Sequence, residues 1–307
     1  MGVASEQTEW IAVDWGTSNL RIWVMDAKGR VVHKAASEAG MGTLTQAQFE
    51  PAFLSLAEPY LRQGCKTPVI CCGMVGSRQG WAEAPYLSVP CRAPTGHDAT
   101  RISGTDARIT VYILPGVKQT QNPDVMRGEE TQIAGFLRLN PTFDGVVCLP
   151  GTHTKWVHIS AEEIVSFQTC MTGELFALLS GQSVLRHSVG GAGFDSAHFA
   201  AAIEDAISRP QALASELFGL RAGALLGMLD QPGARARLSG LLIGTELAAT
   251  RPYWLGQNLV ILGSGQLAEN YRAGLVAQGV GVTMADVTEI TLGGLRAAYE
   301  AIKETTK

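Results

Sequence analysis

Two short segments of the 307-residue chain carry residue types suited to holding phosphate: D-W-G-T-S at Asp14–Ser18 and P-G-T-H-T at Pro150–Thr154. A tight turn with converging backbone N–H groups binds a phosphate chain without the bulk or entropy of long side chains. Gly16 and Gly151 let the backbone turn sharply and come close to a ligand, and the hydroxyls of Thr17, Ser18 and Thr152 add donors. Asp14 ends an apolar run beside the first turn, where a carboxylate without a partner is costly. Mg2+, usually held by one or two carboxylates together with phosphates and waters, would relieve that cost. The competing reading is a plain hairpin in which Asp14 caps its own turn.

Three further segments invite chemistry. In R-G-E-E-T-Q-I-A-G-F the pair Glu129–Glu130 stands where a loop turns into a helix. Acidic residues favour any helix N-terminus, but a pair there also suits accepting a proton from an alcohol. In C-C-G-M-V-G-S-R-Q-G-W, Arg78 and Gln79 follow a buried strand in a glycine-rich loop, and arginine is shaped to grip a carboxylate with two parallel hydrogen bonds. The alternative is a solvated surface arginine. Gly263-Ser264-Gly265, with Ala268 and the later Asp286, fits a dinucleotide fingerprint after a strand and before a helix. Only about forty residues follow it, too few to complete a doubly wound sheet. The same turn has room to pass under an adenine ring. The six histidines are scattered without ligand spacing, and His153 receives no catalytic role.

These residues need elements to position them. Residues 10–35 read as three short strands, an antiparallel start, followed by a helix around Thr45–Gln63 and a buried strand in T-P-V-I-C-C-G. The segment G-V-V-C-L-P-G-T-H-T-K-W-V repeats the opening pattern, with Gly151–Thr152 falling on Gly16–Thr17 between an apolar strand and a Trp/Val-rich strand. From Thr172 the chain is largely helical, ending in a strand, turn and helix around Gly263 and a last helix at G-G-L-R-A-A-Y-E-A-I-K-E. The length predicts two domains of roughly 120 to 180 residues. We place them at 1–122 and 123–307, each with one strand-Gly-Thr-strand unit.

With 46% hydrophobic and 17% charged residues the chain has the composition of a well-packed globular protein, and a net charge of -4 leaves no basic excess for a nucleic acid partner. The six cysteines show no C-x-x-C pair, which predicts reduced thiols and a cytoplasmic location. No run approaches a membrane span and the N-terminus lacks the pattern of an export signal. A homodimer is the default expectation for assembly.

In order along the chain, D-W-G-T-S with Arg21 following, G-E-E-T-Q, P-G-T-H-T-K-W and G-S-G-Q resemble the sugar kinase, heat-shock ATPase and actin superfamily. Together with C-G-M-V-G-S-R-Q-G-W, T-C-M-T-G-E-L-F-A-L-L and I-L-G-S-G-Q-L-A-E-N-Y, they make the chain similar over nearly its whole length to the 2-dehydro-3-deoxygalactonokinase family. The resemblance implies an α/β fold of two ribonuclease H-like (actin-like ATPase) domains with a nucleotide cleft between them. It also implies transfer of the ATP γ-phosphoryl group to the 6-hydroxyl of 2-dehydro-3-deoxy-D-galactonate, with ATP and Mg2+ as cofactors.

In that scheme Asp14 holds the metal, Gly16–Ser18 and Gly151–Thr152 bind phosphates, Gly263–Gly265 face adenosine, and Arg78 and Gln79 meet the substrate. Glu129 stands where related carbohydrate kinases carry a catalytic aspartate. It is a departure by one methylene, which leaves Glu130 as the alternative base. A kinase for another sugar acid and a non-catalytic sugar sensor of the same fold are the rival functions.

Overall fold

The computed structural model describes residues 8–191 and 193–305. The chain divides into two units: one holds the described residues through Phe143, Ser160–Ser166 and the chain from Val287, the other Asp144–Ile159 and Phe167–Asp286.

In the first unit β1 (Trp10–Trp15), β2 (Leu20–Met25), β3 (Val31–Ser37), β4 (Thr67–Gly73) and β5 (Ile109–Ile113) form a sheet in the order β3-β2-β1-β4-β5. β1 runs antiparallel to β2 and parallel to β4, which runs parallel to β5. Side chains alternate across a strand, so the sequence W-I-A-V-D-W sorts itself onto two faces. Ile11, Val13 and Trp15 pack with Leu20 and Ile22 against Phe49, Phe53 and Ala57 of helix α1 (Phe49–Ala57). Trp10 and Ala12 pack on the opposite face with Trp23, Met25, Ile70 and Cys72.

Asp14 therefore belongs to that second face. Covering it are α2 (Glu129–Leu139) and the terminal helix, which cross where a side chain on Gly135 would come within 1.9 Å of the Ile290 carbonyl oxygen. The terminal helix adds Leu292, Leu295, Ala298 and Ile302 to the core, and Tyr299 stacks on Trp10 with ring centroids 4.6 Å apart.

The second unit holds β6 (Gly145–Leu149), β7 (Thr154–Ser160) through Ile159, β8 (Glu163–Cys170) from Phe167, β9 (Leu259–Leu262) and β10 (Val282–Ala285), in the order β10-β9-β6-β7-β8. β6 runs antiparallel to β7 and parallel to β9, which runs parallel to β10. This is the strand plan of the first unit again, with β6 in the place of β1. Helices α3 (Thr172–Gly181), α4 (Ser196–Ser208), α5 (Leu213–Leu225), α6 (Gln231–Ala249) and α7 (Gly265–Ala277) belong to it, and α8 (Val287–Thr305) is the terminal helix of the first unit. Val146, Cys148, Leu259 and Ile261 pack against Phe199, Ile203, Ile243, Leu247 and Tyr271 from α4, α6 and α7.

Three placements differ from the expectations. The division falls between Phe143 and Asp144 rather than after residue 122, and α8 returns to the first unit. The reason is packing: α2 and α8 share a face of the first sheet, and no change of composition marks that in the sequence. α8 starts at Val287, before the Gly-Gly pair. Gly294 there is a packing residue, since a side chain on it would lie 2.0 Å from the Thr131 carbonyl oxygen. The helix placed at Thr45–Gln63 is a shorter α1 flanked by single 3-10 turns at Gln46–Gln48 and Glu58–Tyr60. The six cysteines are free thiols, and no helix among the described residues is long and apolar enough to cross a membrane.

Because the α2–α8 crossing leaves no room for a methyl group, Gly294→Ala should destabilise the protein by about 1–3 kcal/mol. A lowered urea midpoint would register this, and an unchanged midpoint would show that the helices can separate freely.

Candidate functional site

β1 and β4 are parallel, and their C-terminal ends carry the residues singled out in the first unit. Asp14 is paired in register with Arg21 of β2 and Cys72 of β4. Its carboxylate accepts a 3.2 Å hydrogen bond from the Arg21 guanidinium and a 3.9 Å contact from the Cys72 thiol. It does not cap its own turn. Nor is it an orphan, because Arg21 supplies a cation, although that side chain is 56% exposed and Asp14's 21%. Burial raises the Asp14 pKa, Arg21 opposes the rise and the charge of Glu129 reinforces it. Asp14 thus stands between an exposed arginine and the charge of another carboxylate.

The turn after β1 closes through the Gly16 N–H donating to the Asn19 carbonyl at 2.9 Å. It is supported from behind. Met41 and Gly42 donate to the carbonyls of Gly16 and Thr17 at 3.0 and 2.9 Å, and the Trp15 indole donates to the Ala39 carbonyl at 2.8 Å. Thr17 and Ser18 are exposed. A side chain on Gly16 would find only the Asn19 carbonyl, at 3.7 Å. The fold leaves room for one.

Glu129 and Glu130 reach this region through two glycines. Gly73, at the end of β4, has φ +88°, and a side chain there would lie 2.6 Å from the Trp15 carbonyl oxygen. Gly128, the residue before α2, has φ +110°, and its missing side chain would sit 3.2 Å from the Gly73 Cα. Both conformations favour glycine strongly. The pair then parts. Glu129 is half-buried, with Oε2 accepting the Arg127 N–H at 3.1 Å. Glu130 is 0% exposed, and its two carboxylate oxygens accept the Gly128 N–H at 2.8 and 2.7 Å. Burial, with the charge of Glu129 adding to it, pushes the Glu130 carboxyl up to about 8 against the hydrogen bonds that favour ionisation.

Arg78 and Gln79 form the exposed tip of the loop after β4. The loop is closed by Ser77 and Gly80 donating to the Met74 and Ser77 carbonyls at 3.0 and 2.9 Å. Neither tip side chain bonds to another described residue. Arg127 was not singled out from the sequence, although it directly precedes G-E-E. It is 7% exposed, donates to the Ala84 carbonyl at 2.8 Å and lies 4.2 Å from the Tyr86 ring centroid.

In the second unit the turn after β6 carries Gly151 and Thr152, and α3 is set directly upon it. The Glu174 N–H donates to the Thr152 carbonyl at 2.9 Å, and a side chain on Gly173 would lie 2.3 Å from the Gly151 carbonyl oxygen. A side chain on Gly151 itself would meet only the His153 carbonyl, at 4.0 Å. Gly151 and Thr152 edge a cavity of about 390 Å3 walled by Phe176, Leu267, Gln266 and Asn270 among others, a size that suits a small ligand.

Gly263–Gly265, expected to face adenosine, directly precede the α7 residues of this cavity. Gln266, Leu267 and Asn270, from the start of α7, contribute to the cavity wall. Gln266 donates to the Asn270 side chain at 2.8 Å. Helical periodicity alone marked these residues as ordinary α7 positions, so sequence reasoning passed over them.

The family model for 2-keto-3-deoxy-galactonokinase matches residues 14–298. A protein of Rhizobium meliloti (strain 1021) assigned as a 2-dehydro-3-deoxygalactonokinase is 40% identical over 301 residues, 95% of this chain and 97% of its own. The 2-dehydro-3-deoxygalactonokinase of Escherichia coli (strain K12) is 37% identical over 302 residues, 95% and 98%. A crystal structure from Sinorhizobium meliloti assigned to the same activity superposes with a TM-score of 0.88 at 38% identity, covering 95% of this chain and 99% of its own. Component A of the (R)-2-hydroxyglutaryl-CoA dehydratase of Acidaminococcus fermentans shares the fold alone, with a TM-score of 0.53 at 14% identity over 97% and 99% of the two chains.

Glu130 gives the site a pH signature. Between the ordinary glutamate value of 4.5 and about 8 the folded protein keeps a proton that the unfolded chain releases, so this group's contribution to stability falls as pH rises through that window. Glu130→Gln should flatten the pH dependence of stability over roughly pH 5 to 8. Urea unfolding at several pH values tests this, and an unaltered slope would mean that Glu130 ionises normally.

Proposed function

The chain belongs to the 2-keto-3-deoxy-galactonokinase family, ATP-dependent sugar-acid kinases, and on that premise we propose which of its residues carry the reaction. The reaction is transfer of the ATP γ-phosphoryl group to the 6-hydroxyl of 2-dehydro-3-deoxy-D-galactonate. The hydroxyl oxygen bonds to the γ-phosphorus as the bond from that phosphorus to the ADP oxygen breaks, and the hydroxyl proton passes to a carboxylate.

Glu129 is that carboxylate. The observation that carries the assignment is the contrast within the pair: Glu129 is half-buried with its carboxylate oriented by the Arg127 N–H, whereas Glu130 is sealed from solvent and turned back onto Gly128. A base must reach the proton it accepts, and Glu130 does not.

Asp14 fits a Mg2+ ion. Its carboxylate is partly exposed, the nearby charge of Glu129 disfavours its ionisation unless a cation offsets it, and its present cation is an exposed arginine. Among the described residues no group of three or more metal-binding side chains gathers, and one or two carboxylates with phosphates and waters is the usual set for Mg2+. When bound, the ion supplies neutralisation of phosphate charge.

Gly16, Thr17, Ser18, Gly151 and Thr152 bind phosphates through turn N–H groups and hydroxyls. The cavity beside Gly151 takes the adenosine end, between apolar walls at Phe176 and Leu267 and polar groups at Gln266 and Asn270. Arg78 and Gln79, whose side chains bond to no other described residue, meet the carboxylate or hydroxyls of the sugar acid. The free thiols accord with a cytoplasmic enzyme.

Glu129→Gln should lower kcat by roughly 10² to 10⁴ while ADP still binds, the usual worth of a positioned base. Coupled ADP-release kinetics with calorimetric ADP binding would measure both, and undiminished turnover would remove the assignment. Gly151→Ala should leave stability unchanged, since the added methyl meets nothing closer than 4.0 Å, yet weaken ADP binding by roughly tenfold or more if phosphate packs against that face. Unaltered ADP affinity would place the phosphates elsewhere.

A further inference from the structure

Glu246 sits inside α6 with 4% of its surface exposed and forms no ion pair with any described cation. Its carboxylate is held by three donors from three elements. The Trp156 indole of β7 donates to Oε1 at 2.7 Å, while the Tyr271 hydroxyl of α7, at 2.7 Å, and the Thr172 hydroxyl of α3 both donate to Oε2. Because Tyr271 spends its proton on Glu246, the 2.8 Å bond between Thr154 and Tyr271 must have Thr154 as donor. Burial raises the Glu246 pKa against these three hydrogen bonds. A core that needed only filling would not hold a carboxylate here, since desolvating one costs several kcal/mol and an apolar side chain packs as well. What a carboxylate supplies is the capacity to accept from several directed donors at once, which fixes their relative positions.

Those positions converge on one feature. Thr172 is the residue before Gly173, whose backbone lies against the Gly151 carbonyl, and Glu174 of the same helix start donates to the Thr152 carbonyl. Thr154 begins β7, the strand that leaves the turn. Glu246 thus grips the helix start that supports the Gly151–Thr152 turn and, through Tyr271, the strand that follows it. It does not line the cavity itself, whereas Thr172 does.

We propose that Glu246 is a positioning residue for nucleotide binding: through Thr172 and Tyr271 it holds the Gly151–Thr152 turn in the geometry that receives phosphate. The proposal rests on the reading of that turn as part of the nucleotide site. A pre-organised turn binds without having to order itself, so loosening the turn weakens the nucleotide and leaves the sugar acid unaffected.

The test compares Glu246→Gln, Thr172→Val and Thr172→Ser in the full-length protein, with ADP as the calorimetric probe, steady-state kinetics for both substrates and thermal melting. Glu246→Gln and Thr172→Val should each weaken ADP binding and raise the KM for ATP by roughly tenfold, the scale of one lost hydrogen bond to a charged group. The KM for the sugar acid should stay within about twofold, and Thr172→Ser, which keeps the hydroxyl, should bind ADP within about twofold of wild type. The double variant should be no weaker than the worse single one, because both changes break the same bond.

A purely structural carboxylate would lower the melting temperature and leave ADP affinity alone, and that result would overturn the proposal. So would losses that multiply in the double variant. Should Glu246→Gln fail to fold, Thr172→Val against Thr172→Ser still decides. If Gly151→Ala weakens ADP binding and these variants do not, the positioning role alone has failed; if Gly151→Ala has no effect either, the nucleotide reading has failed with it.

Discussion

A glycine pressed against backbone at the start of a helix is the contact that recurs in both units beside the candidate residues. In the first unit Gly128 backs onto Gly73, which itself backs onto the Trp15 carbonyl, and α2 begins there with Glu129. In the second Gly173 backs onto the Gly151 carbonyl, and α3 begins there. A side chain on Gly173 would force α3 off the Gly151 turn, while one on Gly128 would need a few tenths of an ångström of give and a φ that residues with a Cβ rarely adopt. The sheets supply the platform, since β1 and β6 each lie between an antiparallel and a parallel neighbour and deliver their turns at the same edge of the strand pattern.

The same economy governs charge. The most deeply buried carboxylate of each unit is held by directed hydrogen bonds rather than by a cation: Glu130 by the Gly128 N–H, Glu246 by an indole and two hydroxyls. Such bonds set orientation, which a screened surface ion pair does not. Asp14 and Glu129, beside the first of these, keep partial solvent exposure. The Asp14–Arg21 pair has an exposed arm and lies at the rim, where an ion pair contributes little and can be replaced.

Much of this was legible. The antiparallel opening at β1 to β3, the buried β4 and the repetition of Gly16–Thr17 in Gly151–Thr152 follow from alternation and turn chemistry, which act within a few residues. The alternation in W-I-A-V-D-W even decides that Asp14 faces away from α1. The extent of the first unit was not legible, because α8 joins it through Gly135, Gly294 and Leu292, residues whose partners are more than a hundred positions away for α2 and further for β1. The start of α8 was misplaced for the same cause: an isolated Gly-Gly pair reads as a break, and only a neighbouring helix converts it into a close crossing.

By itself the sequence determined the chemistry available: two glycine-hydroxyl turns after buried strands, an acid at the end of the first, a carboxylate pair at a helix start and a strand order that could be built twice. These depend on local spacing and side-chain type, which the chain carries whatever it folds into. Tertiary structure decided which groups are left able to act. It sealed Glu130 and left Glu129 half-open, gave Asp14 an arginine partner, and placed Gln266 and Asn270 in the wall of a cavity beside Gly151. Burial and hydrogen-bond direction are set by contacts between distant segments, so two adjacent glutamates identical in sequence chemistry end in opposite environments.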